Sequence, residues 1–294
     1  MTDARYRHPD AIVTGDWLEA NLDDPNLRIF ECTMYLQYDT TGAKPVTARN
    51  ARPEYEAGHI PGAGYFDLQG DLSDNDSAFR FTMPAAEELA RRLGARGVGD
   101  GHRVVLYSRD TLQWSTRVWW MLRAIGLDNA AVLDGGWHTW EAEGRPQSTD
   151  EPAHAPATLT AKPRPELFVG KGEVQDAIGA AGICTINALT PDLHAGADPR
   201  YGRAGRIPQS VNVPAKSLQD SKSLKITSPG AAQAAFAGAG ADPDKKIIVY
   251  CGGGIAASLD AFLLHQLGYT DIAIYDNSMT EWANDHSLPM EADA

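Results

Sequence analysis

Two stretches of this 294-residue chain repeat one another, and no other feature restricts its fold as strongly. The segment RVVLYSRDTLQWSTRVWWMLRAIGLDNAAVLDGGWHTW, Arg103 to Trp140, answers KIIVYCGGGIAASLDAFLLHQLGYTDIAIYDNSMTEW, Lys246 to Trp282. Tyr107 matches Tyr250 at an offset of 143 (250 − 107), whereas Gly126 matches Gly268 and Trp140 matches Trp282 at 142. The loop after the tyrosine is therefore one residue longer in the first copy. Upstream, GHIPGAGYFDL (58–68) answers GRIPQSVNVPA (205–215). Two copies of one domain account for the length.

Between the copies lies RPQSTDEPAHAPATLTAKPRPE, residues 145–166, with prolines at 146, 152, 156, 163 and 165. Proline fixes φ and donates no amide hydrogen bond, so this stretch is expected to be an extended, semi-rigid linker. The expected division is an N-terminal domain over 1–145, a linker over 146–165 and a C-terminal domain over 166–294. Within each copy, short β-rich runs alternate with helical stretches. The runs are Leu27 to Cys32, Val104 to Tyr107 and Ala131 to Leu133, then Ile183 to Ile186, Ile247 to Tyr250 and Ile272 to Tyr275. From Ala256 onward, Leu259, Phe262, Leu263 and Leu267 recur at helical spacing. Strand, helix and strand in alternation predict an α/β fold, each copy a mainly parallel sheet flanked by helices.

A formal net charge of −13 argues against a nucleic-acid groove or an anionic membrane as the main partner, while leaving room for a local basic pocket. No apolar run approaches the roughly 18 residues of a spanning helix. The start, MTDARYRHPD, lacks the apolar core of a signal peptide, so the cytoplasm is the expected compartment. Cys32, Cys184 and Cys251 are widely separated and lack metal-ligand spacing. Cys32 and Cys184 lie in apolar strand-like runs and are expected to be buried and inert.

Cys251 differs. It follows an apolar strand and precedes three glycines, Gly252, Gly253 and Gly254, then Ile255 and a helix starting near Ala256. In parallel sheets ligands bind beyond the carboxyl ends of the strands, where this thiol stands. Glycines can turn successive amides inward, and the helix contributes its positive end. No acidic side chain lies between Cys251 and Ser258. Such a cradle favours a thiolate, a persulfide or a bound oxyanion. The plain alternative is a βα turn whose cysteine only fills space.

Taken whole, the chain resembles the tandem-domain rhodanese family, the thiosulfate and 3-mercaptopyruvate sulfurtransferases. The likeness rests on GHIPGA (58–63), RVWWMLRAIG (117–126), VLDGGWHTWEAEGRP (132–146), the loop at 251–256 and YDNSMTEW (275–282). It implies two rhodanese-like domains: a catalytic C-terminal one, and an inactive first copy in which Ser108 takes the cysteine's place. It also implies that Cys251 accepts sulfur from thiosulfate or 3-mercaptopyruvate as a persulfide. A thiophilic acceptor (cyanide, a small thiol or a reduced redox protein) then removes it. No metal or organic cofactor is implied. The amides from Gly252 through Ala256 are expected to hold the persulfide.

The departures from the family concern the donor. The loop CGGGIA is nearer the mercaptopyruvate type but lacks its hydroxyl. An Asp-x-Arg whose arginine holds the donor reads here Asn187-Ala188-Leu189, so Leu189 replaces that cation. Arg200 resembles a second donor-binding arginine, and Arg203 and Arg206 lie close by as further candidates. His59 keeps a family histidine that faces the site from the other domain in one proposal; the plainer reading is that it stabilises its own turn. Asp276 is placed to cap the turn that follows it. Trp119, Trp120, Trp137, Trp140 and Trp282 are expected in the core and the interface. A phosphatase of Cys-x5-Arg form is disfavoured, because the arginine position is Ala257. The remaining rival is a non-catalytic sulfur carrier or interaction module, favoured by Leu189 and opposed by the intact Cys251 loop.

Overall fold

The computed structural model of the chain describes residues 5–38 and 46–293. In the first copy the strands and helices are β1 (Ile12–Val13), α1 (Gly15–Ala20), β2 (Leu27–Glu31), β3 (Met34–Gln37), β4 (Thr47–Asn50), α2 (Arg52–Ala57), β5 (Ala63–Tyr65), α3 (Leu68–Leu72), α4 (Ala86–Ala95), β6 (Arg103–Tyr107), α5 (Gln113–Ala124), β7 (Ala130–Leu133) and α6 (Gly136–Ala142). The second copy contains β8 (Phe168–Val169), α7 (Lys171–Ala177), β9 (Ile183–Asn187), α8 (Pro191–Ala195), β10 (Val211–Asn212), α9 (Pro229–Gly238), β11 (Lys246–Tyr250), α10 (Ala256–Gln266), β12 (Ile272–Tyr275) and α11 (Ser278–Trp282).

Each copy forms a five-stranded sheet, ordered β1-β7-β6-β2-β5 in the first and β8-β12-β11-β9-β10 in the second. Every pairing within the two sheets is parallel. The orders correspond strand for strand, as the repeat requires. Parallel strands covered by helices on both faces must be apolar on both, and all but the first residue of β6 and of β11 is buried. Gly126 and Gly268 end α5 and α10 with φ of +86° and +93°, a left-handed turn that suits glycine. The antiparallel hairpin of β3 and β4 belongs to the first copy.

The two copies pack through α5 and α10. The Trp119 ring meets Phe262 edge-on, with centroids 4.8 Å apart. The Trp120 indole N–H crosses to the Leu167 carbonyl at 3.1 Å. Trp140 and Trp282, equivalent in the repeat, each donate their indole N–H to a proline carbonyl, Pro146 at 2.8 Å and Pro289 at 2.9 Å. The proline-rich connection is strapped to the first copy. Ala157 N donates to Gly94 O at 2.9 Å, Lys162 N to Ile125 O at 2.8 Å, and the Thr160 hydroxyl to Asp100 at 2.8 Å. Cys32 is buried as expected, but Cys184 is only partly buried, because it sits near the exposed start of β9.

Candidate active site

Cys251 follows β11 directly and is 2% exposed. The loop after it leads into α10, so the positive end of an 11-residue helix adjoins the thiol. The strand end of β12 lies alongside, and the residues after it clamp the loop. The Ser278 hydroxyl donates to Tyr275 O at 2.7 Å and accepts the amides of Cys251 and Gly254 at 3.1 and 3.2 Å. Met279 N donates to Cys251 O at 3.1 Å. Thr280 gives Gly252 O both its amide, at 2.8 Å, and its hydroxyl, at 2.6 Å.

This clamp decides which loop amides stay free. Among the described residues, Gly252, Gly253 and Ile255 donate their amides to no acceptor. These three, with Ala256 and Cys251, line a cleft of about 1290 Å³. Gly254 does not act as expected: its amide is taken by Ser278, and it lies behind the cleft wall. Its φ is +74°, and a Cβ there would meet Asp276 O at 2.6 Å, so the position demands glycine for the turn.

The cleft runs between the copies, with Met34, Tyr38, Phe81 and Trp114 facing Leu189 and Tyr201. Of the three arginines singled out, only Arg200 lines it. That guanidinium lies 4.6 Å from the Tyr38 ring centroid and pairs with Asp198 at 3.0 Å. Arg203 is a structural tie instead. It donates to the carbonyls of Trp282, Ala283, Asp285 and Leu288 at 2.7 to 3.0 Å, which fixes the C-terminal turn. Arg206 is likewise engaged elsewhere, with Glu291 at 2.5 Å, Asp293 at 2.8 Å and His194 O at 3.1 Å. His59 is fully buried away from the cleft. It stacks on Tyr55 at 4.0 Å, and its ring nitrogens lie 2.8 Å from Tyr55 O and 3.2 Å from Asp150 O. Of the two readings of His59, the one in which it braces its own turn fits, and the cross-domain role does not.

Leu189 lines the cleft at the place of the missing cation, its amide donating to Asn187 Oδ1 at 2.9 Å. Two other cations line the cleft, Arg80 from the first copy and Lys216 from the second, neither in an ion pair among the described residues. Arg80 lies outside every motif, and Lys216 follows directly on the repeated segment 205–215, which carries no signal for it. Asp110 stands on the wall as well, and burial holds its carboxyl above the usual carboxylate range. Beneath the loop, the fully buried Arg117 lies 2.6 Å from the Asp276 carboxylate and donates to Phe81 O at 2.7 Å. Asp276 Oδ2 accepts the Met83 amide at 2.7 Å, so it joins the copies rather than capping its own turn. In the first copy, the Ser108 hydroxyl is consumed by Thr111 O and by Ser115 Oγ, a structural role. Among the described residues no group of three or more His, Cys, Asp or Glu is placed to hold a metal.

A thiol at a strand end, with free amides around it and a helix N-terminus behind it, suits transfer of a group that develops negative charge on sulfur. Comparison with known proteins identifies the family. The model of the rhodanese-like domain matches residues 14–143 and 193–285. The 3-mercaptopyruvate sulfurtransferase of Escherichia coli (strain K12) is 32% identical over 95% of this chain and 97% of its own length. Thiosulfate/3-mercaptopyruvate sulfurtransferase 1, mitochondrial, of Arabidopsis thaliana is 31% identical over 96% of this chain and 78% of its length. Among solved structures, the 3-mercaptopyruvate enzyme SseA from Escherichia coli superposes with a TM-score of 0.77 at 27% identity, covering 91% of this chain and 98% of SseA. A variant of EanB in complex with ergothioneine gives a TM-score of 0.83 at 20% identity, over 99% of this chain and 72% of that one, a likeness of fold. The chain belongs to the rhodanese-like family, with two such domains in tandem. Within that family it is an enzyme of the sulfurtransferase class.

Proposed function

We propose that this enzyme moves a sulfane sulfur from thiosulfate or 3-mercaptopyruvate to a thiophilic acceptor through a persulfide on Cys251. The observation that carries this reading is the position of Cys251 at the floor of the inter-domain cleft, beside three uncommitted amides and the N-terminus of α10. The thiolate attacks the outer sulfur of the donor, and sulfite or the enolate of pyruvate departs with the bonding pair. The amides of Gly252, Gly253 and Ile255 receive the charge of the terminal sulfur. Arg200, with Arg80 and Lys216, meets the anionic donor, since residue 189 is leucine. The acceptor, cyanide, a small thiol or a reduced redox protein, attacks the terminal sulfur and restores the thiolate.

In this reading the catalytic unit is the domain over 166–294, the first copy over 1–145 is inert at Ser108, and 146–165 links them. No helix among the described residues is long and apolar enough to cross a membrane. The test is to supply thiosulfate and 3-mercaptopyruvate separately, add cyanide and follow thiocyanate, with Cys251→Ser as control. Turnover with a donor, abolished by the substitution, supports the reading. Silence with both donors from folded protein overturns it in favour of a sulfur carrier.

A further inference from the structure

One group on the cleft wall belongs to no shared motif and stands against the reactive loop. Tyr201 packs on Gly252 so closely that a Cβ at residue 252 would come within 2.5 Å of its ring. Its phenol lines the same cleft as Cys251 and is set into the loop that also carries Arg200. The backbone there is fixed, because Asn284 Nδ2 donates to Tyr201 O at 2.8 Å and to Thr280 O at 2.8 Å. Asn284 thereby ties the tyrosine to the residue that clamps Gly252. From the first copy, Tyr38 brings its phenol oxygen to hydrogen-bond the Tyr201 hydroxyl, and the Arg200 guanidinium lies 4.6 Å from the Tyr38 ring centroid. Burial, with the Tyr38 and Cys251 oxygens and sulfur nearby, pushes the Tyr201 hydroxyl well above the usual phenol range. It is therefore a protonated donor at neutral pH.

The loop itself offers no side-chain donor: Cys251 is followed by three glycines, an isoleucine and an alanine. The Ser278 and Thr280 hydroxyls nearby already donate to Tyr275 O and Gly252 O. We propose that Tyr201 is a catalytic residue, its phenol donating to the group that departs as sulfur passes to Cys251. This rests on the persulfide reading above. With 3-mercaptopyruvate, the Cys251 thiolate forms an S–S bond to the donor sulfur, and the C–S bond breaks with its electron pair on carbon. The enolate of pyruvate takes the phenol proton, and the phenolate recovers one from the S–H of the new persulfide. The net change is a proton moved from donor thiol to pyruvate, leaving an anionic persulfide. With thiosulfate, sulfite leaves with the S–S bonding pair and no proton is required.

The two donors therefore separate this role from mere packing. Tyr201→Phe keeps the ring on Gly252 and removes only the hydroxyl. For 3-mercaptopyruvate we expect kcat to fall by about 100-fold, the scale of general acid catalysis, with KM changed by less than about 2-fold. Persulfide formation from thiosulfate, read in single turnover as one added sulfur by mass, should slow by less than about 3-fold. An equal loss with both donors, or an unchanged kcat for 3-mercaptopyruvate, overturns the assignment. Wild-type enzyme that takes sulfur from neither donor overturns the persulfide reading itself, and the tyrosine's role with it. A shared thermal midpoint for wild type and variant confirms that folding is not the variable, and Tyr201→Trp, which fills the space without a phenol, should reproduce the loss.

Discussion

Asp134 and Asp276 stand at the same place in the two copies, 142 residues apart (276 − 134), and each carboxylate accepts a main-chain amide of the other copy. Asp134 takes Ile226 N at 2.7 Å, and Asp276 takes Met83 N at 2.7 Å. Thr116 and Ser258, another pair related by 142 (258 − 116), meet hydroxyl to hydroxyl at 2.9 Å. The repeat is thus also a pseudo-twofold arrangement, with its contacts written twice. The symmetry breaks beside the Cys251 loop. Asp276 faces the buried Arg117, whereas the counterpart of Arg117 in the second copy is Leu259.

That asymmetry gives a first prediction. Asp134→Asn loses about 1 kcal/mol, since the amide still finds an oxygen. Asp276→Asn strands a buried guanidinium and costs about 3–5 kcal/mol. Urea unfolding of the two variants measures the difference, and equal losses would refute it.

Ser278 yields a second. Its φ is +49°, a region that serine occupies at a cost, and its hydroxyl accepts the amides of Cys251 and Gly254. Ser278→Ala keeps the strain and orphans both amides, so stability falls by about 1–3 kcal/mol and turnover falls with it. Ser278→Gly orphans the amides but relaxes the backbone, and should be the milder of the two by thermal midpoint.

The loop glycines divide in a third. A Cβ on Gly253 would come no nearer than 3.9 Å, to Thr280 Oγ1, whereas one on Gly254 would meet Asp276 O at 2.6 Å at a left-handed φ. Gly253→Ala should retain most of its kcat. Gly254→Ala should lose activity and about 1–3 kcal/mol of stability. Steady-state assays and unfolding curves on the pair check this.

A fourth concerns pH. His265 stacks on His8 at 4.0 Å and lies beside Trp119. Burial, then the nearby Arg123 and His8, pull its pKa down to about 3, with Arg164 assisting and Asp128 opposing. The native state therefore keeps the ring neutral, while the unfolded chain protonates it below about 6.5. Unfolded protein binds more protons between these values, so stability falls as pH drops from about 6.5 toward 3. Thermal midpoints between pH 7 and 5 should decline less in His265→Phe than in wild type; parallel declines would exclude this histidine as a source.

Much of this was legible in the sequence. The offset repeat dictated two parallel sheets of matching order, and the position of Cys251 after an apolar run placed it at a strand end. What escaped was set by distance in space. Ser278 acts on the loop only because β12 lies beside β11, and nothing local to YDNSMTEW says which amides its hydroxyl meets. Arg203 and Arg206 looked like an anion site because they are basic and clustered. Their partners, apart from His194 O, are carbonyls and carboxylates of residues 282–293, some eighty positions on. Arg80 reaches the cleft from a stretch without a motif, and Lys216 and Tyr201 stand one residue beyond positions the sequence singles out, so their roles emerge only once the copies are packed together.

Passage of sulfur through Cys251 is tested by locating that sulfur on the chain. Enzyme incubated with 3-mercaptopyruvate or thiosulfate, freed of donor, alkylated and digested, is examined by peptide mass. One added sulfur is expected on the peptide bearing Cys251, discharged when cyanide is added and absent from the peptides of Cys32 and Cys184. Added sulfur on either of those peptides, or none on Cys251 while thiocyanate still forms, would contradict it.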